Sequence, residues 1–177
     1  MKEKLVFSLL AVLFASCAAS LPYGTDYPLT EKTFRSRDGV FSGNIPQGWF
    51  SSTEDTLGSA LTVWLMKDDL SAILIVKEIK LDRLSAQQVE NEGLKLLVNI
   101  SIGLQSALSA VAIPEQKEFE LHDKKFCSYE IMKKRVVVFT VKGRFYDCEA
   151  QAVHGFTQEE YARLFTAQQT FLSSLIY

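Results

Sequence analysis

The run Ala72-Ile73-Leu74-Ile75-Val76 is apolar at every position, and it restricts this chain to few architectures. A strand packed on one side alternates apolar and polar residues, whereas a continuous apolar run marks a strand covered on both faces. The strand reads as Ser71 to Ile79 and joins a partner over Ala60–Met66 through Lys67-Asp68-Asp69. Upstream, Asp38-Gly39 lies between the β-rich runs Thr33–Ser36 and Val40–Ile45, a strong hairpin signal. Pro46-Gln47-Gly48 forms a second turn, which Trp49-Phe50-Ser51-Ser52 leaves as a short strand.

The helices are announced by their caps. Ser85-Ala86-Gln87-Gln88 has the form of a capping box, with Leu84 and Val89 spaced as its staple. Val89, Leu96, Ile100, Leu104, Ala107 and Val111 then recur at helical spacing until Pro114, and Gly93 and Gly103 weaken the interior. A second box, Thr157-Gln158-Glu159-Glu160, has Phe156 and Tyr161 as its staple. It opens a helix whose stripe of Tyr161, Leu164, Phe165, Gln168, Phe171, Leu172 and Leu175 reads as core.

Between the helices, strands are expected over Lys117–Leu121, Phe126–Met132, Arg135–Lys142 and Arg144–Val153. Turns at Lys133-Lys134 and Lys142-Gly143 put Cys148 opposite Val137 and Cys127 opposite Thr140. The two thiols then face opposite sides of strands that are not neighbours, so no disulfide is expected between them.

The N-terminus carries a different signal. Lys2 and Lys4 precede the apolar run Leu5–Phe14, too short to span a bilayer but suited to a secretory signal. Leu13-Phe14-Ala15-Ser16-Cys17 resembles the bacterial lipobox, with Phe14 where leucine is usual. The resemblance implies cleavage before Cys17, acylation of its thiol and amine, and, with Ala18 next in line, retention at the outer membrane facing the periplasm. Two or three acyl chains hold stably where one is marginal. Residues 1–16 are therefore read as signal, 17–32 as lipidated cysteine and tether, and 33–177 as one domain. Cleavage removes Lys2, Lys4 and Glu3 and leaves 17 basic against 20 acidic groups, a balance unsuited to nucleic acid.

The order hairpin, strands, helix, antiparallel strands, helix follows the motif Asp38-Gly39-Val40-Phe41-Ser42-Gly43-Asn44-Ile45-Pro46-Gln47-Gly48-Trp49. Together they resemble the PsbP/DcrB-like superfamily, with Ile45-Pro46-x-Gly48-Trp49 as the motif-like part. The resemblance implies an α+β fold, an α/β/α sandwich around a mainly antiparallel sheet. It also implies an accessory or binding role with no common catalytic apparatus; the metal and subunit contacts of photosynthetic members find no matching residues here, and neither a cofactor nor a metal is expected.

The residues agree with that restraint. His122 and His154 stand apart from each other and from the cysteines, and no Gly-x-Ser-x-Gly, P-loop or dinucleotide fingerprint occurs. Glu54-Asp55 and Asp68-Asp69 read as solvated loop charge. The aromatics Trp49 and Phe50, with Tyr23 and Tyr27 in the tether, are the candidates for holding a partner protein. For Trp49 the competing reading is a plug in one end of the core. The expected function is a non-enzymatic, membrane-anchored binding module for a cell-envelope partner. A carrier of a small apolar ligand comes second and an envelope hydrolase third.

Overall fold

A computed structural model describes residues 21–51, 61–106, 114–131 and 133–177. Strands β1 (Leu29–Arg35) and β2 (Ser42–Pro46) pair as the expected antiparallel hairpin across Asp38-Gly39. The large sheet contains β3 (Trp49–Ser51), β4 (Leu61–Lys67), β5 (Ala72–Ile79), β6 (Gln116–Leu121), β7 (Lys124–Ile131), β8 (Lys134–Val141) and β9 (Arg144–Ala152). Its order is β3-β4-β5-β9-β8-β7-β6, antiparallel at every pairing. Helices α1 (Arg83–Glu92) and α2 (Leu94–Ser106) belong to the core on one face, and α3 (Gln158–Ser173) to the core on the other. The chain is thus an α+β protein, an α/β/α sandwich around a mainly antiparallel sheet.

The hairpin shares the α3 side. Gly43 lies so close to Phe34 and Ser174 that a Cβ there would come within 2.9 Å of the Phe34 ring, and Ser42 bridges to Ile176 beyond the helix. Phe34 stacks on Phe171 at 5.0 Å, Phe41 meets Tyr146 edge-on at 5.2 Å, and Phe139 stacks on Tyr146 at 5.5 Å. Helix α3 opens on the expected capping box, with the Thr157 hydroxyl accepting from Glu160 N–H and the Glu160 carboxylate accepting from Thr157 N–H. The Phe156 and Tyr161 rings lie 5.5 Å apart as its staple.

Several expectations are corrected. In β5 Ala72, Leu74 and Val76 are buried on the α3 side, while on the other face Ile73 and Ile75 stay partly exposed and only Ile79, at the strand's end, is buried. Covering on both faces is instead complete in the middle of β8 and β9, from Arg135 to Phe139 and from Phe145 to Ala150. The cap of α1 is Asp82, whose carboxylate accepts from Leu84 N–H, Ser85 N–H and the Ser85 hydroxyl. An aspartate caps as well as a serine and adds a charge that favours the helix N-terminus. Leu84, at 74% exposure, forms no staple.

The single helix expected from residue 85 is broken at Gly93, where φ is +85° and ψ −169°, a region open almost only to glycine. The described helix runs to Ser106, and the rest of the expected stretch up to Pro114, 107–113, lies outside the described residues. Cys148 faces Val137 as expected, but Cys127 faces Val138 rather than Thr140. Ile131 pairs with Lys134, so the connection begins one residue earlier than Lys133-Lys134, and moving a hairpin turn by one residue shifts the pairing by two. An even shift keeps each side chain on its face, and the two cysteines are free, buried and on opposite sides of the sheet.

Residues 21–32, read as part of a tether, are packed. Tyr23 lies edge-on to Phe165 at 5.3 Å, Tyr27 N–H donates to the Thr170 hydroxyl, and β1 already begins at Leu29. The prolines and the glycine in this stretch rule out a helix but not an extended arm that docks through its tyrosines.

Candidate functional site

The polar chemistry of the molecule gathers in the middle of the sheet, on adjacent strands and opposite faces. Alternation along β9 puts Asp147 and Glu149 on the face toward α2, with Tyr146 and Cys148 on the other. Both carboxylates are buried, as are Ser101 on α2 and Tyr129 on β7. The Ser101 hydroxyl lies 2.9 Å from the Tyr129 hydroxyl and 3.3 Å from Asp147 Oδ2. Glu149 accepts from Gln105 Nε2 at 2.9 Å and pairs with Lys77 and Lys134. Asp147 Oδ1 and Gln105 Oε1 are buried without a partner.

The two carboxylates therefore differ. Glu149 is neutralised by two ammonium groups, while Asp147 has one long hydrogen bond. Burial, reinforced by the charge of Glu149, pushes the Asp147 carboxyl up to about 6 against the pull of Lys77. A group of that strength can exchange a proton near neutrality, but Ser101 and Tyr129 enclose it.

Behind this cluster, Arg135 on β8 points toward α3 and is wholly buried. Its guanidinium donates to Gln168 Oε1 at 3.1 Å, Gln169 Oε1 at 2.7 Å and the Phe165 carbonyl at 3.5 Å. It also lies 4.8 Å from the Tyr23 ring and 5.4 Å from the Phe119 ring. Burial lowers its pKa to about 10, so it stays a cation at neutral pH. Tyr23, held in place by its hydroxyl on Glu130, closes this site from outside.

A separate cleft of about 220 Å³ opens beside the first turns of α3, walled by Tyr27, Trp49, Phe156, Leu164 and Ala167 with Arg163 on its rim. The Arg163 guanidinium lies 5.9 Å from the Tyr27 ring centre. A wider cleft of about 510 Å³ lies at the Gly93 break, between Val89, Leu94, Phe145 and Tyr177.

Of the residues singled out in the sequence, Cys17 lies outside the described residues, as do Glu54 and Asp55. Trp49 is 5% exposed and plugs the core on the α3 side, whereas Phe50, its neighbour, is 41% exposed. Of the pair, only Phe50 is a surface side chain. His122 occupies a tight turn with φ +47° and His154 follows β9, both exposed. Asp69 bonds Lys67 and Ser71 within the β4–β5 turn. Burial pushes the Cys127 thiol up to about 11 and the Cys148 thiol to about 12, so neither is a nucleophile at neutral pH. Among the described residues, no three Cys, His, Asp or Glu side chains are grouped to hold a metal, and no helix is long and apolar enough to cross a membrane.

Sequence reading passed over Asp147, Glu149 and Arg135. The available signal was Arg135 heading Val136-Val137-Val138-Phe139, a cation at the start of a doubly covered strand.

No family model matches the sequence, and no curated protein sequence matches it. Solved structures do. Cyanobacterial PsbP (CyanoP) from Synechocystis sp. PCC 6803 superposes with a TM-score of 0.52 at 10% identity, over 90% of this chain and 98% of that one. The Ran-binding protein Mog1p of Saccharomyces cerevisiae gives 0.55 at 12% identity, over 84% of this chain and 95% of its own. At these identities the likeness is one of fold, and the fold is the PsbP/DcrB-like sandwich that Ile45-Pro46-x-Gly48-Trp49 suggested.

Proposed function

We propose that this chain is a non-enzymatic binding module of the bacterial cell envelope, acylated at Cys17 and held at the outer membrane facing the periplasm, where its domain engages a protein partner. The observation that carries the proposal is Leu13-Phe14-Ala15-Ser16-Cys17, a lipobox-like sequence a few residues upstream of the arm that docks through Tyr23. The likeness to a Ran-binding protein supports an interaction role, because the same sandwich serves there to hold another protein. Phe50, the exposed member of the Trp49-Phe50 pair, is an anchor available for such a contact, since large aromatic side chains dominate interface energetics.

The test is crosslinking in cells that express the full chain, followed by isolation from membranes. A defined protein partner, lost on Phe50→Glu with the fold unchanged, is the expected result. Membrane association retained by Cys17→Ser would remove the anchor from the proposal. Failure to capture any protein with the wild-type chain would remove the partner.

A further inference from the structure

The described strand edges are not alike. Strand β3, at one margin of the large sheet, has three residues, and β1 in the small sheet is interrupted by a bulge between Leu29 and Thr33. Strand β6, at the other margin of the large sheet, pairs with β7 without a break from Gln116↔Tyr129 to Leu121↔Lys124. Its turn fixes which backbone groups are free. His122 and Asp123, at φ +47° and +64°, form a two-residue loop that closes on a hydrogen-bonded pair, Leu121 with Lys124. Such pairs alternate along an antiparallel ladder, so the backbones of Lys117 and Phe119 also bond to β7, while the N–H and C=O groups of Gln116, Glu118 and Glu120 point away from the sheet. No described residue hydrogen-bonds to those groups.

An open edge is a template for another strand, and its side chains decide which one. Gln116, Glu118 and Glu120 share the face toward α2, with Lys117, Phe119 and Leu121 on the other. A second copy is rejected. Each antiparallel register that joins two or more outward residues of both copies sets Glu against Glu or Lys117 against Lys117, and like charges directly opposite are destabilising. Glu118 and Glu120 are exposed and stand outermost. Lys95 on α2 reaches Glu118 only at 3.7 Å, with both side chains more than half in solvent, and Lys125 stands across from Glu120 on the inner side. Exposed pairs of this kind contribute little, so both carboxylates remain open to a cation arriving along the edge.

We propose that β6 is a docking edge for an extended segment of a partner protein, added antiparallel to it, with lysine or arginine at two alternate positions facing Glu118 and Glu120 and an apolar β-branched residue between them beside Phe119. The inference rests on the reading of the chain as a protein-binding module and supplies the chemistry of the segment it takes. Main-chain bonds to the outward residues hold the segment, and the alternating cations select it. The carboxylates that bar self-association thereby admit a basic strand.

The experiment titrates the ¹⁵N-labelled full-length protein in detergent with the acetylated, amidated peptide TVKVKVT and follows amide exchange along β6. Slowed exchange is expected at Glu118 and Glu120, whose N–H groups gain acceptors, with no change at Phe119, which already bonds to β7. The peptide TVEVEVT, and TVKVKVT N-methylated at its lysine amides, are each expected to bind about tenfold more weakly. Glu118→Lys combined with Glu120→Lys changes exposed positions only, keeps the fold and is expected to reverse the order of the two peptides. Equal binding of TVEVEVT, binding that survives N-methylation, or exchange that never slows at Glu118 and Glu120 would each overturn the proposal. Because the titration needs no cellular partner, the two readings fail separately. A protein crosslinked in cells and retained by the double variant would overturn the β6 edge and leave the binding module standing, whereas slowed exchange with no protein captured in cells would do the opposite.

Discussion

Two buried charge sites stand back to back on β8 and β9 and are solved in opposite ways. On the α3 side, no carboxylate among the described residues is hydrogen-bonded to Arg135. Two glutamine carbonyls, a backbone carbonyl and the faces of two rings share its charge. On the α2 side, Asp147 and Glu149 place two negative charges on one strand, and lysines reach in from β5 and β8 to neutralise Glu149 alone. A guanidinium is weakly hydrated and planar, so it tolerates a dry site lined by neutral acceptors and aromatic faces. A carboxylate does not, and the one without an ion partner takes up a proton near pH 6, well above its ordinary range. The cation therefore acts as a fixed structural pin, while the anion pair retains a titratable member.

The sharpest way to break this contrast is to remove the pin. Arg135→Ala leaves the acceptors of Gln168 and Gln169 facing a cavity and is expected to cost about 3–5 kcal/mol in urea denaturation. Arg135→Met, which keeps the volume, should recover at least half of that loss. Full recovery would mean that the charge itself is dispensable.

Next in size is Glu149→Gln, which leaves Lys77 and Lys134 facing a neutral amide. Because both lysines reach partly into solvent, a loss of about 1–3 kcal/mol is expected.

Asp147→Asn should act in the other direction. With its folded pKa near 6 and its unfolded value near 3.8, the folded state binds more protons between these values. The contribution of Asp147 to stability is therefore greatest below pH 4 and is lost as pH rises through 6. The variant is expected to be more stable than wild type by about 1–2 kcal/mol at pH 7.5, with the gap closing by pH 4. A constant gap across that range would show that Asp147 keeps its charge. The smallest effect is expected for Tyr129→Phe, which removes the hydroxyl that meets Ser101, at about 1 kcal/mol.

Local chemistry made much of the architecture readable. The Thr157 box and its Phe156–Tyr161 staple, the Asp38-Gly39 hairpin and the face of each cysteine all depend on residues a few positions apart. The charged centre was hidden because Arg144–Ala152 holds Asp147 and Glu149 on one side and Tyr146, Cys148 and Ala150 on the other. That is also the pattern of a strand with one solvated face, and only the position of α2, more than forty residues upstream, makes it a buried one. Trp49-Phe50 was legible as a pair but not in orientation, since alternation requires one in and one out without saying which. The helix cap was missed for a local reason. Asp82 and Ser85 are both good caps three residues apart, and the earlier one takes the later one's hydroxyl as well as its N–H.

The docking of Tyr23 over Arg135 also sets a length. Tyr23 stands six positions after Cys17, and a fully extended chain covers at most about 3.5 Å per residue. A lipid on Cys17 would then hold the Tyr23–Glu130 corner within about 20 Å of its attachment point. On so short a leash the domain could sweep only a shallow cap of space, with the α3 end of the sandwich nearest the bilayer surface. Whatever it meets would have to come to the membrane to be met.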